Sequence, residues 1–317
     1  HHPNFFPSID SLIAPIEKSD HKEALFQKLQ PEVLLTFGGM IVSKKIKAFL
    51  RAYQPKHHWH VDEQGAFDTF FCLSHHFNLR ANEFFQDFLA EVSFPESDYY
   101  SYWQGIKMTM EAKRETYLKK ILFSDMKAFQ IGLASIPPKY QLQLANSSTV
   151  RYAQLFDLDN SLDVFCNRGS SGIDGSTSTA IGASLYHKSP TVLMTGDLGF
   201  FYDSNALWNN YIRRDFRIIL VNNKGGGIFR ILPGSEDSGN FETYFETTHR
   251  LTARALCEMY GFQYLQVNSM KKMQKAFKTF YDDGDRPKLI EIMTPRILND
   301  KILFTYFDFI SSGIINH

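Results

Sequence analysis

The chain has little cysteine, no surplus of either charge and no long apolar run. Its three cysteines, Cys72, Cys166 and Cys257, are scattered and form no CxxC pair. That excludes a disulfide framework and a cysteine-based zinc site, and predicts a reduced, cytoplasmic protein. Lys plus Arg number 34 and so do Asp plus Glu, so the formal net charge is zero. Without a basic excess, neither nucleic acid nor an anionic membrane is an expected partner. No apolar run reaches the roughly 18 residues a membrane helix needs, and no signal peptide is visible. No internal repeat or low-complexity segment occurs. The chain opens on His1-His2, a tag remnant or native residues, instead of Met. It starts in the middle of an element and is expected to be a fragment of a longer protein.

What is present suits a globular protein: 317 residues, 44% hydrophobic and 21% charged. Such a length predicts about two domains. Residues 1–97 read as a partial central α/β domain and 98–317 as a second α/β domain, joined at Ser93-Phe94-Pro95-Glu96-Ser97. In the first, Glu32 to Phe37 reads as a strand running into Gly38-Gly39. Ser43 to Tyr53 reads as a helix, His58 to Val61 as a strand and Asn78 to Val92 as a helix. The glycine pair reads as a tight turn rather than a phosphate cradle. His57, His58, His60, His75 and His76 lack metal-ligand spacing and read as solvated surface residues, although His58 and His60 share a strand face.

Residues 98 to about 135 read as helical, ending at Ile136-Pro137-Pro138. Short apolar runs then alternate with helical patterns. The predicted strands are Gln141 to Ala145, Asp163 to Cys166, Thr191 to Thr195, Arg217 to Val221, Gln263 to Gln266 and Lys288 to Met293. Asp203 to Arg214 is read as the crossover helix between the third and the fourth. The pattern predicts a doubly wound, mainly parallel sheet, with ligands at the carboxyl ends of its strands.

Four strand ends carry groups suited to chemistry. Asn146-Ser147-Ser148-Thr149 with Arg151 reads equally as a helix cap or as an anion site. Cys166-Asn167-Arg168-Gly169-Ser170-Ser171-Gly172-Ile173-Asp174-Gly175 is a loop whose backbone can approach a ligand, led by a guanidinium suited to carboxylate or phosphate. Gly196-Asp197 and Asn222-Asn223-Lys224-Gly225-Gly226-Gly227-Ile228-Phe229 end consecutive parallel strands. A carboxylate, an amide oxygen and bare backbone form a hard-cation set, suited to Mg²⁺ that also holds a phosphate.

Gly196-Asp197 followed by Asn222-Asn223 resembles the thiamine-diphosphate/Mg²⁺ signature of the thiamine-dependent enzymes. More narrowly, the Asn167–Gly175 and Asn222–Phe229 segments, with Asn146-Ser147 and Arg151, resemble the 2-succinyl-5-enolpyruvyl-6-hydroxy-3-cyclohexene-1-carboxylate synthase family of menaquinone biosynthesis. The motifs cover residues 146 to 229. The resemblance implies the thiamine-diphosphate-binding fold after a truncated central domain. It implies a transferase that decarboxylates 2-oxoglutarate and adds the succinyl carbanion to isochorismate. Thiamine diphosphate and Mg²⁺ or Mn²⁺ are the implied cofactors, and a homodimer or homotetramer the implied full-length assembly. Asp197, Asn223 and the Gly225 carbonyl would bind the metal. Asn146, Ser147, Gly172, Ile173, Leu198, Gly199 and Ile228 would contact the cofactor, Ile173 as the apolar wedge that bends it. Ser147, Arg151, Arg168, Ile228 and Phe229 would face the substrates, each of which carries two carboxylates.

Two departures stand out: Leu198 replaces the signature glycine, and Lys224 stands where the family has Asn. The family's activating glutamate belongs to a pyrimidine-binding domain, and no catalytic residue is assigned within this chain. The chain alone is expected to be silent. The competing readings are another 2-oxoacid decarboxylase or acetolactate-synthase-like enzyme, and a non-catalytic cofactor-binding module.

Overall fold

In the computed structural model, residues 9–93, 96–232 and 239–314 are described. His1-His2, and Phe94 and Pro95 of the expected linker, lie outside the described residues. The chain forms two compact units. One comprises residues up to 119 and those from 305 onward, and the other residues 120–304. The division therefore falls at Lys119/Lys120 and not near residue 97. The cause is a long helix that belongs to the first unit by its packing: Tyr99 donates to the Leu29 carbonyl at 2.8 Å, and Trp103 packs edge-on to Phe49.

The first unit contains α1 (Asp10–Glu17), α2 (Lys22–Leu29), β1 (Val33–Phe37), α3 (Lys44–Ala52), β2 (His57–Val61), β3 (Leu73–Phe77), α4 (Ala81–Glu91) and α5 (Tyr99–Lys120). Its three strands are parallel, in the order β1-β2-β3. Ser43 caps α3 by accepting from the Ile46 amide. Strand β3 was not expected, because Leu-Ser-His-His-Phe carries little apolar alternation. His58 is also not solvated. It is buried, with Nε2 on the Thr36 hydroxyl at 2.9 Å, and burial pushes its pKa below the ordinary value. His60 shares that hydroxyl through Nδ1. Among the described residues, no group of three His, Cys, Asp or Glu is arranged to hold a metal.

The second unit contains α6 (Asp125–Ala134), β4 (Gln141–Leu144), α7 (Ser148–Ala153), β5 (Asp163–Cys166), α8 (Ser176–Tyr186), β6 (Thr191–Gly196), α9 (Asp197–Tyr202), β7 (Arg217–Asn222), α10 (Arg254–Met259), β8 (Gln263–Val267), α11 (Met270–Phe280) and β9 (Lys288–Met293). The last helix, α12 (Asn299–Ser311), spans the unit division. The six strands are all parallel, in the order β5-β4-β6-β7-β9-β8. Successive side chains of a strand point to opposite faces. On one face Leu193, Ile218, Leu220 and Leu289 pack with Ala180 and Ile181 of α8, Phe200 of α9 and Cys257 of α10. On the other, Met194 and Ile219 meet α6 and α11 around Gly132 and Met273. Each buried Leu, Ile, Met or Phe side chain among them contributes about 1.5–3 kcal/mol. Where both faces are covered, as in β6 and β7, the strands read as unbroken apolar runs, which is why the sequence placed them.

The connection from β6 to β7 differs from expectation. The helix begins at Asp197 itself, and Ser204–Trp208 is a short 3-10 turn. Asp203 is drawn off to another task. Its carboxylate accepts from the Ser178 backbone amide at 2.7 Å and from the Ser178 hydroxyl, capping α8, whose own N-cap residue is the side-chain-less Gly175. All three cysteines are free thiols. No helix among the described residues is long and apolar enough to cross a membrane.

Arg217 opens β7 with 1% exposure and donates to four carbonyls among the described residues: Phe280 at 2.8 Å, Arg214 at 2.9 Å, Phe216 at 3.2 Å and Asp282 at 2.8 Å. Arg217→Met should therefore destabilise the second unit by about 2–4 kcal/mol, because buried acceptors lose their donors. Urea denaturation measures this, and an unchanged midpoint would refute the brace.

Candidate functional site

A parallel sheet offers a crevice where its chain order reverses, because the loops there leave in opposite directions. In this sheet the chain steps from β4 outward to β5 and then crosses back to β6, so the reversal lies between β4 and β6. A cavity of about 320 Å³ opens at their carboxyl ends and at that of β7. Asn146 and Ser147 after β4, Asp197 after β6 and Asn223 after β7 all line it, as do Ile173, Leu198, Gly199, Gly225, Ile228 and Phe229. Gly172, Arg151 and Arg168 do not.

Asp197 is 3% exposed. Its Oδ1 accepts from the Leu198 amide at 2.7 Å, and its Oδ2 from the Gly225 amide at 3.0 Å. His249 Nε2 also lies 3.1 Å from Oδ2. Because His249 Nδ1 accepts from the Leu251 amide, Nε2 carries the proton and donates to Asp197. A carboxylate oxygen has two acceptor positions, so Oδ1 keeps one.

Asn222 and Asn223 divide the labour of the next strand end. Asn222 is structural: Nδ2 donates to Glu291 Oε1 and the Leu251 carbonyl, while Oδ1 accepts from the Lys224 amide. Glu291 is itself buried and accepts from the Tyr264 hydroxyl. Asn223 Nδ2 donates to Asp125 Oδ2 at 2.8 Å. Its Oδ1 is buried and has no hydrogen-bond partner among the described residues. Lys224 takes the left-handed φ of 69° and is exposed, outside the cavity lining. Only its backbone serves the loop, its carbonyl accepting from the His249 amide.

Two glycines here answer to close neighbours. A Cβ on Gly225 would lie 2.7 Å from the Glu246 carbonyl oxygen, and one on Gly227 would lie 2.9 Å from Asn223 Nδ2. Glu246 is fully buried and pairs with Arg230 at 2.7 and 2.6 Å and with Arg296 at 2.6 Å, while its carbonyl accepts from the Gly226 amide. This clamp holds the glycine loop against the segment Phe241–Phe245.

The Asn146 amide is fully engaged. Nδ2 donates to the Asn167 and Gly172 carbonyls at 2.8 and 2.7 Å, and Oδ1 accepts from Arg168 Nη1 at 2.7 Å. Asn146 thus ties the Arg168 loop to the end of β4, and Gly172 acts through it. Arg151 is an exposed residue of α7. Ser147, between β4 and α7, has a φ of 65°, a conformation costing a non-glycine residue about 1–3 kcal/mol and typical of sites that need it.

Sequence reasoning missed Asp125, Glu246 and His249. Ser124-Asp125 looks like any helix start, and Ser124 does accept from the Lys127 amide. Asp125 nevertheless lines the cavity, and its oxygens accept from Thr294 Oγ1 at 2.5 Å and from Asn223. Burial pushes its pKa up to about 6, partly offset by those hydrogen bonds and reinforced by the charge on Asp197.

An orphaned buried amide oxygen, a carboxylate with an acceptor position to spare and a glycine carbonyl form a set of oxygen donors suited to a hard cation.

Adding a methyl at Gly225 or Gly227 should destabilise the second unit by about 1–3 kcal/mol and weaken ligand binding, since neither neighbour can retreat freely. Thermal unfolding of Gly225→Ala and Gly227→Ala checks this, and wild-type stability in both would contradict the packing. A second prediction concerns pH. Because folding raises the Asp125 pKa from 3.8 to about 6, the unfolded chain ionises first, and this group's contribution falls as pH rises from about 4 to 6. The stability of Asp125→Asn relative to wild type should therefore rise across that window by on the order of 2 kcal/mol and stay level above it. Denaturation in chelator at several pH values measures it, and a constant difference would rule it out.

Residues 146–292 match the family described as thiamine pyrophosphate enzyme, C-terminal TPP binding domain. Proteins named 2-succinyl-5-enolpyruvyl-6-hydroxy-3-cyclohexene-1-carboxylate synthase resemble nearly the whole chain. That of Christiangramia forsetii is 55% identical over 98% of this chain and 54% of the relative. That of Flavobacterium johnsoniae is 52% identical over 97% of this chain and 54% of the relative. That of Porphyromonas gingivalis is 40% identical over 90% and 51% respectively. The chain thus spans about half the length of the curated relatives it matches. With a six-stranded parallel sheet whose reversal point carries Asp197 and Asn223, and with similarity running through both units, the chain is similar to the thiamine pyrophosphate enzymes.

Proposed function

We propose that the second unit holds the diphosphate of thiamine diphosphate through a divalent cation, Mg²⁺ or Mn²⁺, bound by Asp197, Asn223 and the Gly225 carbonyl. The observation that carries this reading is the buried Asn223 Oδ1 without a partner, on the glycine loop tied to Asp197 by the Gly225 amide. An uncompensated buried polar atom costs about 1–3 kcal/mol, and a cation offsets that cost directly. The backbones of Leu198 and Gly199, at the start of α9, lie beside the diphosphate in this proposal. Ile173 and Ile228 shape the apolar wall, and Phe229 extends it towards the substrate.

By the names of its relatives, the full-length protein is proposed to be a 2-succinyl-5-enolpyruvyl-6-hydroxy-3-cyclohexene-1-carboxylate synthase that joins 2-oxoglutarate, after decarboxylation, to isochorismate. Bound thiamine diphosphate supplies the carbon centre for that chemistry. Ser147, Arg151 on α7 and Arg168 after β5 are assigned to substrate carboxylates, guanidiniums being the planar partners such groups favour. No residue of this chain is assigned the activation of the aminopyrimidine, so the chain alone is proposed to be silent. A cytoplasmic homodimer or homotetramer belongs to the same proposal.

Calorimetry on the full-length protein should show Mg²⁺-dependent thiamine diphosphate binding that Asp197→Ala abolishes, and retained binding would refute the ligand assignment. The same protein, given 2-oxoglutarate and isochorismate, should form a carbon–carbon bond between them. Turnover of pyruvate without addition to isochorismate would overturn the substrate reading.

A further inference from the structure

We propose that Asp125 is a positioning residue for the cation site, turning the Asn223 amide so that its oxygen is left for the metal. This inference rests on reading Asp197, Asn223 and Gly225 as the cation's ligands. A side-chain amide has an oxygen and a nitrogen of nearly equal size, and only its hydrogen-bond partners decide which end points where. A hard cation requires the oxygen. Asn223 can therefore serve only if something selects one of its two orientations.

Asp125 has the geometry to do so. Its Oδ2 accepts from Asn223 Nδ2 at 2.8 Å, which turns Oδ1 away and leaves it unpartnered. The carboxylate is itself held. Thr294 Oγ1 donates to its other oxygen at 2.5 Å, and the Thr294 amide is anchored on the Asn222 carbonyl at 3.0 Å. The Asp125 backbone amide donates to Asn299 Oδ1 at 2.8 Å, and Asn299 Nδ2 is fixed on the Pro295 carbonyl at 2.7 Å. Thus the carboxylate that meets Asn223 is braced from the end of β9 and the start of α12. Gly227 leaves room for the same orientation, since a Cβ there would press on Nδ2. The competing account makes Asp125 a first-turn acid that favours the helix dipole. A surface carboxylate does that equally well. It explains neither the 3% exposure of Asp125 nor a bond to a residue 98 positions away.

Mn²⁺ affinity of the full-length protein at saturating thiamine diphosphate, read by electron paramagnetic resonance, tests the inference. Asp125→Ala should weaken Mn²⁺ by roughly 10–100-fold, as loss of a ligand's supporting hydrogen bond does. Asp125→Leu should do the same while filling the volume, so it carries the test if Asp125→Ala does not fold. Asp125→Asn can still accept from Asn223 while donating to Thr294, and should stay within about threefold of wild type. The decisive comparison uses the Asn223→Asp background. A carboxylate presents oxygen in either orientation, so there Asp125→Leu should cost less than about twofold. A merely structural role costs the same in both backgrounds, and equal losses would overturn the inference. Unchanged affinity in both Asp125→Ala and Asp125→Leu, with binding lost in Asp197→Ala, would also overturn it while leaving the ligand reading intact. Unchanged affinity in Asp197→Ala would instead sink the ligand reading itself.

Discussion

The buried carboxylate of Asp197 is the constraint on which the rest of the site depends. Removing a charge from water costs far more than a neutral group, unless donors surround it. Those donors come from three parts of the chain: the Leu198 amide at the start of α9, the Gly225 amide in the next strand's loop and His249 beyond it. Each donor fixes the loop that carries it. The carboxylate therefore sets the spacing between the ends of β6 and β7, and the cavity is a consequence of that spacing.

The glycine loop shows how far the arrangement extends. Gly225 and Gly227 admit no side chain because the Glu246 carbonyl and the Asn223 amide already occupy the space. Glu246 stays there because Arg230 and Arg296 neutralise it in a buried network. Such pairs contribute little net stability compared with apolar packing, but they specify one arrangement strongly, since breaking one leaves a bare charge. Asn222 and Glu291 perform the corresponding task beneath the loop. Non-glycine residues with positive φ at Ser147, Ser171 and Lys224 fall on the same set of loops. Further positive φ values occur at Phe71, Lys139 and Thr247, so strain is not confined to these loops.

How much of this was legible in the sequence depended on the range of the interaction involved. Thr191–Gly196 and Arg217–Asn222 read directly as strands, because burial on both faces demands a continuous apolar run. Strand β3 did not, since two histidines and a serine occupy its middle. Asp203 to Arg214 has helical spacing, yet Asp203 serves as the cap of α8 and the helix lies before it. The domain boundary at Ser93 to Ser97 followed composition. The compact unit followed packing instead, with Tyr99 and Trp103 attaching α5 to what precedes it.

The sequence by itself determined the parallel sheet and the two strand ends that carry Asp197 and Asn223. Both follow from local periodicity and from short motifs whose parts are near one another in the chain. Only the tertiary structure decided which groups those residues meet. Asp125 reaches Asn223 from a helix start, Glu246 is set against Gly225 across a loop, and Asn146 is consumed by the Arg168 loop instead of facing the cavity alone. The physical reason is that a buried polar atom must find a partner wherever the fold brings one within about 3 Å, and sequence distance does not limit that choice.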